Sequence, residues 1–240
     1  MNENFYEQER RQELGAARGA ETVGRYTART FFTMFLGLLA TFLVAFGCYA
    51  TGAIFYIFSI PGIQLILLAA ELAVVFGMTA FLHRISTATA TVFFFLYAVL
   101  NGVVFSAYFL LFRLPSLILV FAATALYFGG MAVFGYFTGI DLSRLRTVLL
   151  GGLIFLILAN LLMLHIPDLA VLDRVACTIG LIIFLGFTAY DTQKIRAIYD
   201  QYSQDEIVLR KASIYSALQL YLDFVNLFLY VLRIFGKRRS

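Results

Sequence analysis

Charged residues are scarce in this sequence: Asp, Glu, Lys and Arg make up 13% of its 240 residues, whereas 62% are hydrophobic. Soluble domains carry about 25% charged residues. A water-soluble fold of this size could not cover so much apolar surface, so lipid must be the solvent. The net charge of +4 is small, and the basic residues lie between apolar segments. This pattern indicates a membrane topology and argues against nucleic-acid binding.

Cysteine and histidine are also scarce. Cys48 and Cys177 both lie in apolar segments, which argues against a disulfide framework or a paired-cysteine metal site. The first thirty residues are polar and contain no apolar core with a small-residue cleavage site, so we expect no removable signal peptide. The sequence has no phosphate-binding loop and no HExxH or GxSxG motif, and His83 and His165 are far apart. We therefore expect no enzyme and no tightly bound cofactor.

Long apolar segments make up most of the chain. A membrane-spanning helix needs about 20 residues, and only helices or closed barrels satisfy the backbone in lipid. These segments are too long for barrel strands. The sequence therefore predicts an all-α, polytopic membrane protein. Its seven spans are predicted near residues 31–55, 63–82, 89–112, 116–137, 147–165, 174–197 and 213–235.

The basic residues indicate which side of the membrane each connection occupies. If the spans alternate, twelve of the eighteen Lys and Arg residues lie on the side of the N-terminus. This places the N-terminus in the cytoplasm of a multi-pass cell-membrane protein. All three prolines then fall in outer loops. We expect a cytoplasmic N-terminal arm at 1–29, one transmembrane domain at 30–236, and a basic tail at 237–240 whose charge conflicts with its outer position.

Asp223 is the carboxylate that lies deepest in a predicted span. An ionisable side chain at mid-bilayer costs at least about 2.5–3.5 kcal/mol, and Asp223 is about 15 Å from either end of its helix. It belongs to a polar stripe with spacings of three, four, three and four residues, formed by Ser216, Gln219, Asp223, Asn226 and Tyr230. This spacing places the stripe on one face. We interpret Asp223 as a functional carboxylate; the alternative is interhelical hydrogen bonding.

Two further carboxylates lie within predicted spans. Asp191 follows an apolar run of only sixteen residues, so its span must include it. Its helix directly precedes that of Asp223, so the two helices should be antiparallel neighbours. A carboxylate pair across that interface is one interpretation; the other pairs Asp191 with Lys194 or Arg196 at the membrane surface. Glu71, in the second span, either lines a pathway or has a structural partner.

Several glycines are paired in or directly after the predicted spans. The pairs Gly129–Gly130 and Gly151–Gly152, and Gly135 with Gly139, predict close helix packing.

Three segments resemble a known family. FAATALYFGGMAVFGYFTGIDLSRLRTVLL resembles the fourth-helix signature of the transmembrane Bax inhibitor motif family, LGFTAYDTQKI resembles its sixth-helix motif, and ALQLYLDFVNLFLYVLRIFG resembles its last helix. FLYAVLNGVVFSAYF fits the third helix more loosely. The resemblance extends from about Thr27 to Gly236, and the last-helix motif is specific.

The resemblance implies a seven-helix bundle with the last helix near its centre, in a bacterial inner or plasma membrane. It also implies a pH-sensitive calcium leak sensed by a carboxylate pair, whose motif positions are Asp191 and Asp223. Gln219, Asn226 and Glu71 complete the candidate ion pathway. The family's bacterial leak uses an arginine late in the second helix as a latch; here the charge arrives at His83 and Arg84, so Arg84 is the latch candidate.

The residues lead to a mechanism as a hypothesis. Two buried carboxylates cannot both ionise easily, so they share a proton and titrate as a unit. A divalent cation would offset their repulsion, and Ca²⁺ prefers oxygen ligands, so Asp191 and Asp223 are also the metal-ligand candidates for a permeant or transiently bound ion.

Three alternatives to a leak stay open. The family also includes a modulator of a membrane protease, so one alternative is an interaction protein that binds such a protease or another membrane protein. A proton-coupled solute transporter is a second, although we find no inverted repeats or broken helices. The third is a bundle without transport.

Overall fold

A computed structural model describes residues 22–81, 84–165 and 170–239. The described chain is helical, with eight α-helices and a short 3₁₀ turn. The elements are α1 (Val23–Ala50), α2 (Ala53–Phe58), α3 (Ile63–Phe81), α4 (Thr87–Leu111), α5 (Leu114–Phe137), the 3₁₀ turn (Leu142–Arg144), α6 (Leu145–His165), α7 (Ala170–Tyr202) and α8 (Glu206–Phe235). With the exception of α2, each α-helix is long and apolar enough to cross a membrane, which confirms the seven predicted spans.

Helix α8 lies at the centre of the bundle, as the family resemblance implies. It packs against α1, α4, α5 and α7, and sixteen of its thirty residues are buried. By contrast, α3 buries only Leu67 and Met78 and packs mainly on α4. Large apolar side chains on the outer faces of the other helices are exposed, as expected where lipid replaces water.

The predicted helix boundaries differ from the observed ones in α1, α7 and α8. The first span was predicted to reach residue 55, but α1 ends at Ala50, because Gly52 adopts a left-handed conformation (φ 72°) and α2 begins after it. Helices α7 and α8 extend beyond their predicted spans, since polar turns continue both helices past the apolar segments. Helix α1 begins within the segment assigned to the N-terminal arm, and residues 1–21 of that arm lie outside the described residues.

Polar side chains define several helix ends. The hydroxyl of Thr22 accepts a hydrogen bond from the amide of Arg25 at the start of α1. Asp205 accepts from the amides of Ile207 and Val208, both at 3.0 Å, and so begins α8 after a short turn.

The basic tail folds back against the turn between α4 and α5. The amide of Arg113 donates to the carbonyl of Lys237 (3.2 Å), and the amide of Arg239 donates to the carbonyl of Leu111 (2.9 Å). The amide of Lys237 also donates to the hydroxyl of Ser116 (2.9 Å). Because the described part of the chain has seven helices that cross the bundle, this end is opposite to the one at which α1 begins.

The prolines lie at the ends of elements where they are described. Pro61 is in the turn before α3, and Pro115 is in the first turn of α5, where a missing amide donor removes no helical hydrogen bond. Pro167 lies outside the described residues.

Candidate functional site

The site is formed by the antiparallel pair of α7 and α8. A turn of three residues joins the two helices, so the second half of α7 lies beside the first half of α8. Asp191 and Asp223 are both buried in this arrangement, with 7% and 5% of their surfaces exposed. Their carboxyl groups face each other and lie within side-chain hydrogen-bonding range. The structure thus places the two carboxylates side by side.

Two carboxylates can form a hydrogen bond only if one of them carries a proton. Oδ2 of Asp223 is buried, and no donor among the described residues reaches it. A proton shared with Asp191 would satisfy this atom. The geometry can therefore hold one proton between two acids, and it leaves a negative charge without a direct partner when that proton is lost.

Two cationic side chains face the pair. Lys194, one turn after Asp191 on α7, acts electrostatically on both carboxyl groups, and Arg146 of α6 acts on Asp191. Within the described ranges, the ammonium group of Lys194 donates to Oε1 of Gln219 (3.3 Å) and lies over the ring of Tyr215. Lys194 therefore screens the pair from one side and does not form a direct ion pair with either acid.

The polar stripe of α8 faces α7 at several of its positions. Asp223 contacts Asp191, Gln219 contacts Lys194, and the ring of Tyr230 stacks on Phe184 at 5.8 Å. The remaining members differ. Asn226 is half-buried and donates to the carbonyl of Leu222 in its own helix (2.8 Å). The hydroxyl of Ser216 is buried without a partner among the residues the structure describes.

Glu71 belongs to a separate polar cluster. It is half-buried on α3 and acts electrostatically on the hydroxyl groups of Tyr97 and Tyr221. Its Oε1 atom is buried and has no hydrogen-bond partner in the described part of the chain. Tyr97 also bonds the side chain of Asn101, and Tyr221 bonds Thr41 at 2.6 Å. The structure therefore does not join Glu71 to the acidic pair.

Arg84, the latch candidate, is exposed in the turn after α3. Its backbone amide donates to the carbonyl of Phe81 (2.8 Å). Its guanidinium group forms no ion pair with any residue that the structure describes. His83 and Leu82, which precede it, lie outside the described residues.

One contact of the site was missed in the sequence. Nε2 of Gln193 donates to the carbonyl of Ile140 (2.8 Å), and its Oε1 accepts from the amide of Leu142 (2.9 Å). The turn that Gln193 binds also has internal hydrogen bonds, from the side chain and the amide of Ser143 to the carboxyl group of Asp141. These bonds lower the pKa of Asp141, which is exposed. The sequence gives one indication of this contact: the segment with Ile140 and Leu142 and the segment with Gln193 both resemble motifs of the same family.

The glycine predictions were partly wrong. Gly135 lies directly against the backbone of Ala189, and Gly152 lies against the side chain of Ile183, so these two do allow close packing. A Cβ atom at the four other predicted positions would meet nothing within 4 Å, namely at Gly129, Gly130, Gly139 and Gly151. Gly129, Gly130 and Gly151 lie on open faces of their helices, and Gly139 lies in the turn after α5.

The acidic pair offers only two side chains to a metal ion. Within residues 22–81, 84–165 and 170–239 no group of three or more His, Cys, Asp or Glu side chains could hold one. Ca²⁺ takes about 6–8 oxygen ligands. Water would have to supply most of them, so Asp191 and Asp223 fit a transient contact with a hydrated cation better than a tight site.

Comparisons with known proteins agree with the motifs. The family described as "Inhibitor of apoptosis-promoting Bax1" matches residues 23–240. The inner membrane protein YbhL of Escherichia coli is 39% identical over 216 residues, which cover 89% of this chain and 92% of YbhL. A protein of Rickettsia prowazekii is 34% identical over 220 residues, 92% of each chain. A membrane protein of Streptococcus pyogenes is 34% identical over 154 residues, 64% of this chain and 66% of its own length.

The match covers the seven spanning helices found among the described residues, including the hairpin that carries the acidic pair. The chain is therefore a multi-pass membrane protein that belongs to the Bax inhibitor family.

Proposed function

We propose that this protein is a pH-sensitive cation leak that conducts calcium, in which Asp191 and Asp223 sense protons, and that it has no enzymatic activity. The observation that carries the proposal is the buried contact between these two carboxyl groups on neighbouring helices. The family resemblance supports the same two positions.

The electrostatics of the pair supply the sensor. Two unit charges about 4 Å apart repel by about 4 kcal/mol at an effective dielectric constant of about 20. While a proton is shared, the carboxyl groups attract each other and hold α7 against α8. Once it is lost, repulsion favours a separated arrangement, which Lys194 and Arg146 oppose in part. Protonation therefore selects between two arrangements of the central hairpin.

Calcium would act on the same groups. A divalent cation near Asp191 and Asp223 offsets their repulsion, so it competes with the shared proton for one site. Gln219 and Asn226, on the same helix as Asp223, supply amide oxygens along the pathway. Glu71 lies in the second cluster and would attract a cation elsewhere in the bundle.

Calcium flux into proteoliposomes, measured across a series of pH values, tests the proposal. We expect the wild-type protein to give a flux that changes with pH. Asp223→Asn keeps the shape of the side chain but removes one ionisation, so its flux should lose the pH dependence. Asp173→Asn is the matched control, because Asp173 is on α7 but pairs with Arg233 at the far end; its flux should follow the wild type.

Two results would contradict the proposal. If Asp223→Asn keeps both the flux and its pH dependence, the pair is not the sensor. If the wild-type protein gives no flux at any pH, the family's other role, binding a membrane protease or another membrane protein, becomes the better account.

A further inference from the structure

An apolar groove lies between α1 and α5 on the surface of the central helix. The two helices touch at one end, where the rings of Phe31 and Phe128 are 6.5 Å apart. Beyond this contact they separate and enclose a cavity of about 270 Å³. Phe224, Val225 and Phe228 of α8 form its floor, and α4 contributes Phe105, Tyr108 and Phe109 to its lining. The groove is open to the lipid, since Phe35 and Ile118 on its rims are 56% and 61% exposed.

The walls suit a hydrocarbon chain. The lining is almost wholly apolar, and the hydroxyl of Thr41 is already bonded to Tyr221 and to the carbonyls of Gly37 and Ala98. The volume is near the lower limit of ligand pockets, which is roughly 300 Å³. On α1 the lining extends from Phe35 to Ala45, and the ten rises between them give a length of about 15 Å. This is half of the ~30 Å hydrocarbon layer, the depth that one acyl chain reaches.

The basic C-terminal tail lies at the end of the groove that is next to the α4–α5 turn. The exposed tail residues Lys237, Arg238 and Arg239 are held there by their bonds to the α4–α5 turn, whose next residues line the groove. The guanidinium group of Arg239 donates to the hydroxyl of Tyr49 (3.1 Å), and the ring of Tyr49 stacks on Phe109, a lining residue, at 5.6 Å. The charge of Arg239 is therefore one side chain away from the groove wall, and Lys237 and Arg238 directly precede it in the tail.

This end of the bundle has little negative charge of its own. Among the described residues of the connections and helix ends on this side, the one carboxylate is Asp173, and Arg233 already binds it. The three tail cations thus have charge to offer an anionic group at the membrane surface, where each basic residue contributes about 1 kcal/mol to binding anionic lipid.

We propose that the groove is a specific site for an anionic diacyl phospholipid, with one acyl chain between α1 and α5 and the phosphate group bound by Lys237, Arg238 and Arg239. The acyl chain covers the floor formed by α8. The lipid thereby completes the packing of the central helix on the side where α1 and α5 separate. This inference does not depend on the proposed calcium leak.

A single tryptophan can test the site, because the chain contains none. Phe42→Trp places the reporter in the groove, where Phe42 is 49% exposed. Leu43→Trp is the matched control: Leu43 is at the same depth and exposed to lipid, but outside the groove. Each protein is reconstituted with phosphatidylglycerol or phosphatidylcholine carrying brominated acyl chains, and the quenching of tryptophan fluorescence gives the relative affinity of each lipid.

At position 42 we expect phosphatidylglycerol to be preferred by at least about fivefold, which corresponds to about 1 kcal/mol. At position 43 the two lipids should quench equally. Adding Lys237→Gln, Arg238→Gln and Arg239→Gln to Phe42→Trp should remove the preference while phosphatidylcholine still quenches. If that variant does not fold, as judged by circular dichroism, Arg239→Gln alone should reduce the preference by about half or more.

Three results would overturn the inference. Equal quenching by both lipids at position 42 would show no selectivity for the headgroup. An equal preference at positions 42 and 43 would show only general attraction of anionic lipid to the protein. A preference that survives neutralisation of the tail would show that these cations do not bind the phosphate group.

Discussion

The side-chain amide of Gln193 joins α7 to the turn between α5 and α6, donating to the carbonyl of Ile140 at 2.8 Å. Its oxygen accepts from the amide of Leu142, a buried residue. We expect Gln193→Leu to lower the free energy of unfolding by about 1–3 kcal/mol, because it leaves these backbone groups without partners. Denaturant unfolding in detergent micelles, followed by circular dichroism, measures the loss.

Two further variants make this prediction specific. Gln193→Glu keeps the acceptor for Leu142 but loses the donor to Ile140, so its loss should be smaller. Gln201→Leu removes an exposed glutamine from the same helix and should change the stability little. An unaltered stability in Gln193→Leu would mean that water replaces both bonds.

The acidic pair should make the stability depend on pH. At acidic pH the pair holds a shared proton, and at alkaline pH two buried negative charges repel each other. The free energy of unfolding should therefore fall as the pH rises. In Asp223→Asn the amide can donate to Asp191 at every pH, so the fall should be reduced. Unfolding of both proteins in micelles over a series of pH values measures the difference.

Asp173→Asn is again the control for this experiment. It removes a carboxylate of α7 that pairs with Arg233 and lies outside the central contact. Its stability should keep the wild-type dependence on pH. A steep fall that is the same in all three proteins would trace the effect to other titrating groups.

A backbone contact between α5 and α7 predicts a sharp difference between two glycines. A Cβ atom at Gly135 would overlap the backbone of Ala189, so Gly135→Ala should destabilise the protein by about 1–3 kcal/mol. Gly130 is on the same helix but meets nothing within 4 Å, and alanine favours helix by up to ~1 kcal/mol. Gly130→Ala should therefore be neutral or stabilising in the same unfolding assay. Equal effects of the two substitutions would contradict the close approach.

The bond between Thr41 and Tyr221 predicts a non-additive pair of substitutions. Thr41→Val leaves the fully buried hydroxyl of Tyr221 without its partner, and this should cost about 1–3 kcal/mol. Tyr221→Phe removes that hydroxyl. The double variant should therefore lose less stability than the sum of the two single losses. Additive losses in a double-mutant cycle would show that the bond contributes little.

The fold class could be predicted from the sequence because the membrane imposes a simple rule. Lipid requires about 20 apolar residues per span and excludes exposed backbone, so the number of spans follows from hydropathy. The helix ends could not be predicted in the same way. Helices α7 and α8 continue into polar sequence. Helix α1 ends at Ala50, two residues before the left-handed Gly52, so backbone conformation and not hydropathy decides where it stops.

The sequence predicts the members of the candidate site only where the position of a residue along its helix is enough to place it. Asp191 and Asp223 were identified because charges in lipid are costly and because consecutive helices pack side by side. The separation of Glu71 from them depends on how α3 packs against α4, which the sequence does not encode locally. Helix packing that the sequence does not reveal also explains why some glycine predictions were wrong. Gly129 and Gly135 lie in similar sequence, but of these two only Gly135 faces another helix.

Asp191 lies between two anchoring contacts of α7, and this determines which acid can move. Two residues before it, Ala189 lies against the backbone of Gly135, and two residues after it, Gln193 is bonded to the α5–α6 turn. Helices α5 and α7 therefore behave as one block around Asp191. We therefore expect the two acids to separate by displacement of Asp223 with α8. A distance measured between spectroscopic labels on α7 and α8 should change with pH, whereas a distance between labels on α5 and α7 should stay constant.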